Sequence, residues 1–241
     1  MLYPASFLAW LALSPPEQEH RPGAMETVFP RPNRPQRTTG VGTVSEPSSG
    51  GRRSRRDDIL TKVVELLESP KVDRITTALL AKEVGVSEAA IYRHFKGKGE
   101  IFEGLMDFME QSLLGALEQL KKSDAADVAL VRFMEFTLRF VDQNKGIARL
   151  LDAELLRREA PESAPRSALM SERLQAGLKN LIQQGQLAGT LNPAASATTL
   201  ARIWVDLIVG RALRFSSSNF KELPLDRWDE QRSLLYRLIA P

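Results

Sequence analysis

From Arg52 onward the apolar residues fall at helical spacing without interruption, the recurrence every three to four residues expected of packed helices. Ile59, Val63, Leu66 and Leu67 predict a first helix ending near Ser69-Pro70, because proline disfavours the α conformation before it and cannot continue the backbone ladder. Thr76 or Thr77 caps a second helix that runs through Val84, since a threonine hydroxyl accepts from the unpaired amides of a first turn. Gly85 supplies the tight turn that ends it. Ser87 then caps a short third helix, Glu88 to Phe95, ahead of Gly97 and Gly99. Two short helices around a glycine turn make a helix-turn-helix, spanning residues 76–95.

The longer elements follow. Phe102, Leu105, Met106, Met109, Leu113, Ala116, Leu117 and Leu120 form one stripe of a helix from about Lys98 to Lys121. Residues 126–142 are apolar on nearly every side, with Val128, Val131, Met134, Leu138 and Val141 on one arc and Phe133, Phe136 and Phe140 towards the other. Such a helix is either central or offers a groove to something else. A shorter helix is expected over 145–157, a loop at Pro161 and Pro165, and three further helices over 167–185, 194–215 and 225–239. Small residues at Ala176, Gly177 and Gly210 would allow close helix approach.

Composition agrees with an all-α fold and narrows the chemistry. The 241 residues include no cysteine, which excludes disulfides, thiolate metal sites and cysteine nucleophiles. There are two histidines, one of them His20 near the N-terminus and the other His94 in the third helix. No glycine-rich phosphate loop, Gly-x-Ser-x-Gly elbow or plausible triad is present, so a catalytic role is not expected. Nor does any apolar run reach the roughly 18 residues of a membrane span, which predicts a soluble, cytoplasmic chain. Residues 1–51 are rich in proline, glycine and serine and carry no apolar period past Leu13, so they are read as a disordered tail; a start at Met25 or later is the alternative. The chain then divides into a DNA-binding module at 52–98 and a helical core and dimerisation domain at 99–241.

Net charge is only +3, so an affinity for nucleic acid must come from local placement. Residues 52–98 hold eleven Lys and Arg against seven Asp and Glu, a surplus of four. On a wheel of about 100° per residue, Ile91 and Phe95 turn inward while Ala89, Tyr92, Arg93 and Lys96 turn outward. That outward face suits a major groove: Arg93 and Lys96 for phosphates or guanine edges, Tyr92 with its hydroxyl, Ala89 against a thymine methyl. Glu88 could accept from a cytosine amino group, or it could serve only the helix N-terminus. Arg52, Arg53, Arg55 and Arg56 cluster at the start of the first helix, where an arginine-rich arm can follow the backbone or enter the minor groove; the plain alternative is a solvated charge run.

The run from Ile75 through Thr76-Thr77, Gly85-Val86-Ser87 and Tyr92-Arg93-His94-Phe95 to Lys98 resembles the DNA-binding domain of the TetR family. The resemblance implies a homodimer on palindromic duplex DNA, with 167–185 and 194–215 as dimer helices. It implies further that Thr76, Thr77, Tyr92, His94 and Lys98 meet the DNA backbone, while Ser87 to Ala89 and Arg93 reach bases. Beyond this domain the chain resembles the nucleoid occlusion branch of the family, through Ile101-Phe102, Phe108 and Arg214-Phe215 with Phe220-Lys221. That branch implies a nucleoid-associated protein that, when DNA-bound, binds the C-terminal tail of FtsZ and stops the division ring assembling over the chromosome. Phe108, about 120° off the core stripe beside Ile101 on the wheel, and Asn144 at the end of the fifth helix are the implied partner contacts; an edge-of-core role for Phe108 stands beside this. The sequence departs from the family pattern at Lys96-Gly97-Lys98-Gly99 and at Ala116, where a basic residue is expected. The other reading is a repressor released by a small molecule, bound in a pocket lined by Phe133, Met134, Phe140 and Trp204.

Overall fold

The computed structural model describes residues 55–69 and 74–241; the tail expected over 1–51, with Arg52 and Arg53, lies outside them. Every regular element of the described residues is helical. The N-terminal head consists of α1 (Arg55–Glu68), α2 (Thr77–Val84) and α3 (Glu88–Tyr92). Thr76, not Thr77, caps α2 by accepting from the Leu79 amide at 3.1 Å. Gly85 closes it at φ 75°, with its own N–H on Lys82 O and that of Val86 on Ala81 O, the paired bonds that let a left-handed residue end a helix. Ser87 caps α3 through Ala90 N. α3 stops earlier than expected, because His94 and Phe95 both turn back onto Ile91 O and carry the Phe95 ring inward, where it is 1% exposed.

A single helix, α4 (Lys98–Ser123), connects head to core; at 26 residues it is about 39 Å long. Its expected stripe is buried, and Ile101, read as lying off that stripe, is buried too at 0% exposure. Glu100 reaches back to accept from the Lys96 amide at 2.7 Å, which closes the first turn despite the two glycines there. Against α4 packs α5 (Ala126–Gln143), with Met134, Leu138 and Val141 of one arc and Phe133, Phe136 and Phe140 of the other buried, Val131 half-buried and Val128 exposed.

The helix expected over 145–157 is broken into α6 (Lys145–Ala148), a 3-10 turn and α7 (Ala153–Glu159), followed by a second 3-10 turn at Pro161–Ser163. The break has a local cause: Asp152 accepts from the amides of Glu154 and Leu155 and so starts a new helix. The fold ends with α8 (Ala164–Leu187), α9 (Ala197–Ser217) and α10 (Trp228–Ile239). Pro165, expected in a loop, sits in the first turn of α8, where its missing N–H costs nothing. α6 lies directly on α1, and Gly146 is what permits it: a Cβ there would stand 2.1 Å from Val64 O.

Candidate nucleic-acid interface

Ile91 and Phe95 anchor the reading helix from beneath, each 1% exposed. That burial turns Ala89, Tyr92, Arg93, His94 and Lys96 outward, and all five are exposed. No hydrogen bond or ion pair engages the Arg93 guanidinium or the Lys96 ammonium among the described residues. The Thr77 hydroxyl spans the two helices of the motif, 3.3 Å from Glu88 Oε2 and 3.5 Å from Tyr92 Oη. Glu88 is therefore tied to α2 as well as placed in the first turn of α3. Thr76 and Ser87 spend an acceptor lone pair on their caps, which leaves each hydroxyl proton to donate outward.

The arginine cluster divides. Arg55 is exposed and pairs with Asp58 at 3.5 Å. Arg56 is turned inward: its guanidinium lies 4.2 Å from the Phe95 ring centroid, donates to His94 O at 3.0 Å and approaches Glu100 at 3.6 Å. Arg56 thus holds the end of the reading helix, in addition to any phosphate it meets. Lys98 is half-committed as well. Its ammonium donates to Ile75 O at 3.2 Å and to Glu159 Oε2 at 3.0 Å, so one of its three N–H donors remains.

Glu159 was not legible as part of this site. Its side chain is 2% exposed and also accepts from Ile75 N at 3.1 Å and Arg158 Nε at 3.1 Å. Burial acts to raise its pKa, but the hydrogen bonds from Lys98, Ile75 and Arg158, with the charge of Lys98, outweigh that and hold the carboxyl below its ordinary value.

The expected partner residues fall on the seam of α4 and α5. Phe108 is half-buried, its ring centroid 6.1 Å from that of Phe140, which in turn is 6.1 Å from Phe136. Asn144 is 2% exposed and its amide donates to Phe140 O at 2.7 Å, a cap on the last turn of α5. Its side chain therefore shapes the seam from within. Phe133, Met134, Phe140 and Trp204 are all buried; of the four, Phe140 alone lines a cavity of about 10 Å³, with Met109, Thr137, Met170 and Ile208 among others. No helix among the described residues is long and apolar enough to cross a membrane.

Two family models match the chain: bacterial regulatory proteins of the TetR family over residues 59–105, and a SlmA-like, tetracyclin repressor-like C-terminal domain over 125–240. The nucleoid occlusion factor SlmA of Marinomonas sp. (strain MWYL1) is 36% identical over 188 residues, which is 78% of this chain and 95% of that protein. That of Vibrio cholerae is 35% identical, covering 76% and 94% respectively. Among solved structures, FadR of Bacillus subtilis in complex with stearoyl-CoA shares the fold at TM-score 0.64 and 16% identity, over 77% of this chain and all of that one (100%). PfmR of Thermus thermophilus does so at 0.62 and 21%, over 77% and 97%. The likeness thus runs from the head through the last helix and takes in nearly the whole length of its relatives, and the chain belongs to the TetR family of DNA-binding regulators, in its SlmA-like nucleoid occlusion branch.

Proposed function

We propose that this chain is a nucleoid occlusion factor: a homodimer that reads palindromic duplex DNA with α3 and, when DNA-bound, docks the C-terminal tail of FtsZ on the seam of α4 and α5. The observation that carries the DNA half is the outward face of α3 and of the turn that follows it, where Arg93 and Lys96 present unpaired cations beside Tyr92 and Ala89. Relatives named as nucleoid occlusion factors, similar over nearly their whole length, support the division-control half. Dimerisation through α8 and α9 is supported by their outer faces, where Leu169, Ile203 and Leu213 are each more than a third exposed.

Release by a small molecule in the core is supported less. A drug-sized ligand needs a pocket of about 300–1,000 Å³, against the roughly 10 Å³ beside Phe140. Mapping where the protein sits on the chromosome of growing cells separates the readings. Many palindromic sites away from promoters and thin around the replication terminus are expected; a few sites overlapping promoters would mean a conventional repressor.

Two substitutions test the surfaces. Arg93→Ala is expected to cost about 1–3 kcal/mol on the cognate duplex and to narrow the gap to a scrambled one, as loss of a base contact does. An even loss on both duplexes would assign Arg93 to phosphate, and unchanged affinity would remove it from the interface. Phe108→Asp is expected to weaken binding of an FtsZ tail peptide by about 2 kcal/mol or more, roughly 30-fold, with affinity for DNA retained at temperatures where the variant stays folded. Unaltered peptide affinity would rule out the seam as the docking surface.

A further inference from the structure

A reading head can enter two successive major grooves only if its angle to the rest of the dimer is fixed, and the described residues show one side chain placed to fix it. The helix-turn-helix is flanked by Ile75, just before the cap of α2, and by Lys98, the first residue of α4. Glu159, at the end of α7 in the core, holds both. Its Oε2 accepts from the Ile75 amide at 3.1 Å and from Lys98 Nζ at 3.0 Å, and Lys98 closes the triangle on Ile75 O at 3.2 Å. Arg158 Nε takes the other oxygen at 3.1 Å. The carboxylate is 2% exposed and Ile75 is 2% exposed, so solvent screens this junction little. Both flanks of the motif are thereby pinned to one point of the core, by charge-assisted bonds that are stronger and more directional than neutral ones.

We infer that Glu159 is the positioning residue that sets the angle of the reading head and, through it, the half-site separation that the dimer accepts. The lever is steep. A tilt of about 10° about Glu159, over the roughly 20 Å depth of two stacked helices, moves the reading helix by about 3.5 Å, one base-pair rise along the duplex. Among the described residues no other side chain of the core hydrogen-bonds both flanks; α1 is held on α6 by packing, at Gly146 and through its buried apolar face. The inference rests on the reading of palindromic DNA by a dimer proposed above.

The test uses the full chain and the duplex that it recovers from a random-sequence library, together with that duplex carrying one base pair inserted or removed at its dyad. The unsubstituted chain is expected to lose about 100-fold on the shifted duplexes, as out-of-register half-sites require. Glu159→Ala is expected to bind the original duplex about tenfold more weakly and to discriminate among the three by less than about tenfold, because a head that is no longer preoriented fits all spacings comparably. Glu159→Gln, which keeps an acceptor for Ile75 but loses the charge, is expected to fall between them and carries the test if the alanine variant fails to fold. An equal loss on all three duplexes, or undiminished spacing preference in both variants, would overturn the inference and leave Glu159 a stabilising residue only. Recovery of no palindromic duplex by the unsubstituted chain would instead overturn the reading beneath it.

Discussion

Gly146→Ala is expected to lower the stability of the protein by about 3 kcal/mol, the upper end of what overpacking costs. The reason is the identity of the atoms in the way. A Cβ at Gly146 would lie 2.1 Å from Val64 O, 2.9 Å from Val64 C and 3.0 Å from Val64 Cα. All three belong to the backbone of α1, so no rotamer change relieves the clash. Relief requires α1 to draw away from α6, and α1 buries Ile59, Leu60, Val63, Val64, Leu66 and Leu67, none of which can be exposed cheaply. For a protein of this size such a loss lowers the melting temperature by roughly 6–12 °C. Thermal or urea unfolding measures it directly, and a change below about 1 kcal/mol would mean that α1 slides over α6 without penalty.

Phe95→Ala should cost about 3–5 kcal/mol, the range found when a buried aromatic ring is truncated. Phe95 is among the largest fully buried side chains of the head, and it supports two things at once. It fills the space under Ile91, and it offers its face to the Arg56 guanidinium 4.2 Å away. Without the ring, Arg56 loses its stacking partner while keeping its bond to His94 O, so the last turn of the reading helix is left with a void beneath and a cation above. DNA affinity is expected to fall along with stability and to recover partly at low temperature, where the folded population is restored. Loss of DNA binding in a variant of unaltered stability would show that Phe95 acts on the reading surface by some route other than packing.

The parts of the fold that were legible in the sequence are those with a local cause. Thr76, Gly85 and Ser87 each act on amides within a few residues, so the two helices and the turn of the motif stand where the caps put them. The long stripes of α4, α8 and α9 are likewise sums of local spacing. Where tertiary contact or the bond of a single polar side chain decided, apolar spacing was silent. Ile101 was placed off the core stripe but is wholly buried, because α4 is covered on more than one side. The segment from 145 to 163 carries one apolar run, and only the bonds of Asp152 reveal that it is two helices. Asn144 is a plausible surface residue by type, yet its amide is consumed by Phe140 O. The junction at Glu159 was the least accessible of all: 30 acidic residues and 33 Lys and Arg give no means of choosing the pair Lys98 and Glu159, 61 residues apart in the chain.

The continuity of α4 bears on how copies of this protein would be arranged along a chromosome. Lys98 at the reading end and Phe108 on the seam share that helix, separated along its axis by about 15 Å, with no joint between them. On the proposed function the helix would work as a ruler: each bound copy would hold its seam at one fixed height and one fixed azimuth around the duplex. Two copies whose sites lie a whole number of turns apart, about 10–10.5 base pairs each, present their seams on the same side of the DNA. A half-turn offset sends them to opposite sides. The phase of neighbouring sites, as distinct from their number, would then decide whether several seams face one filament together.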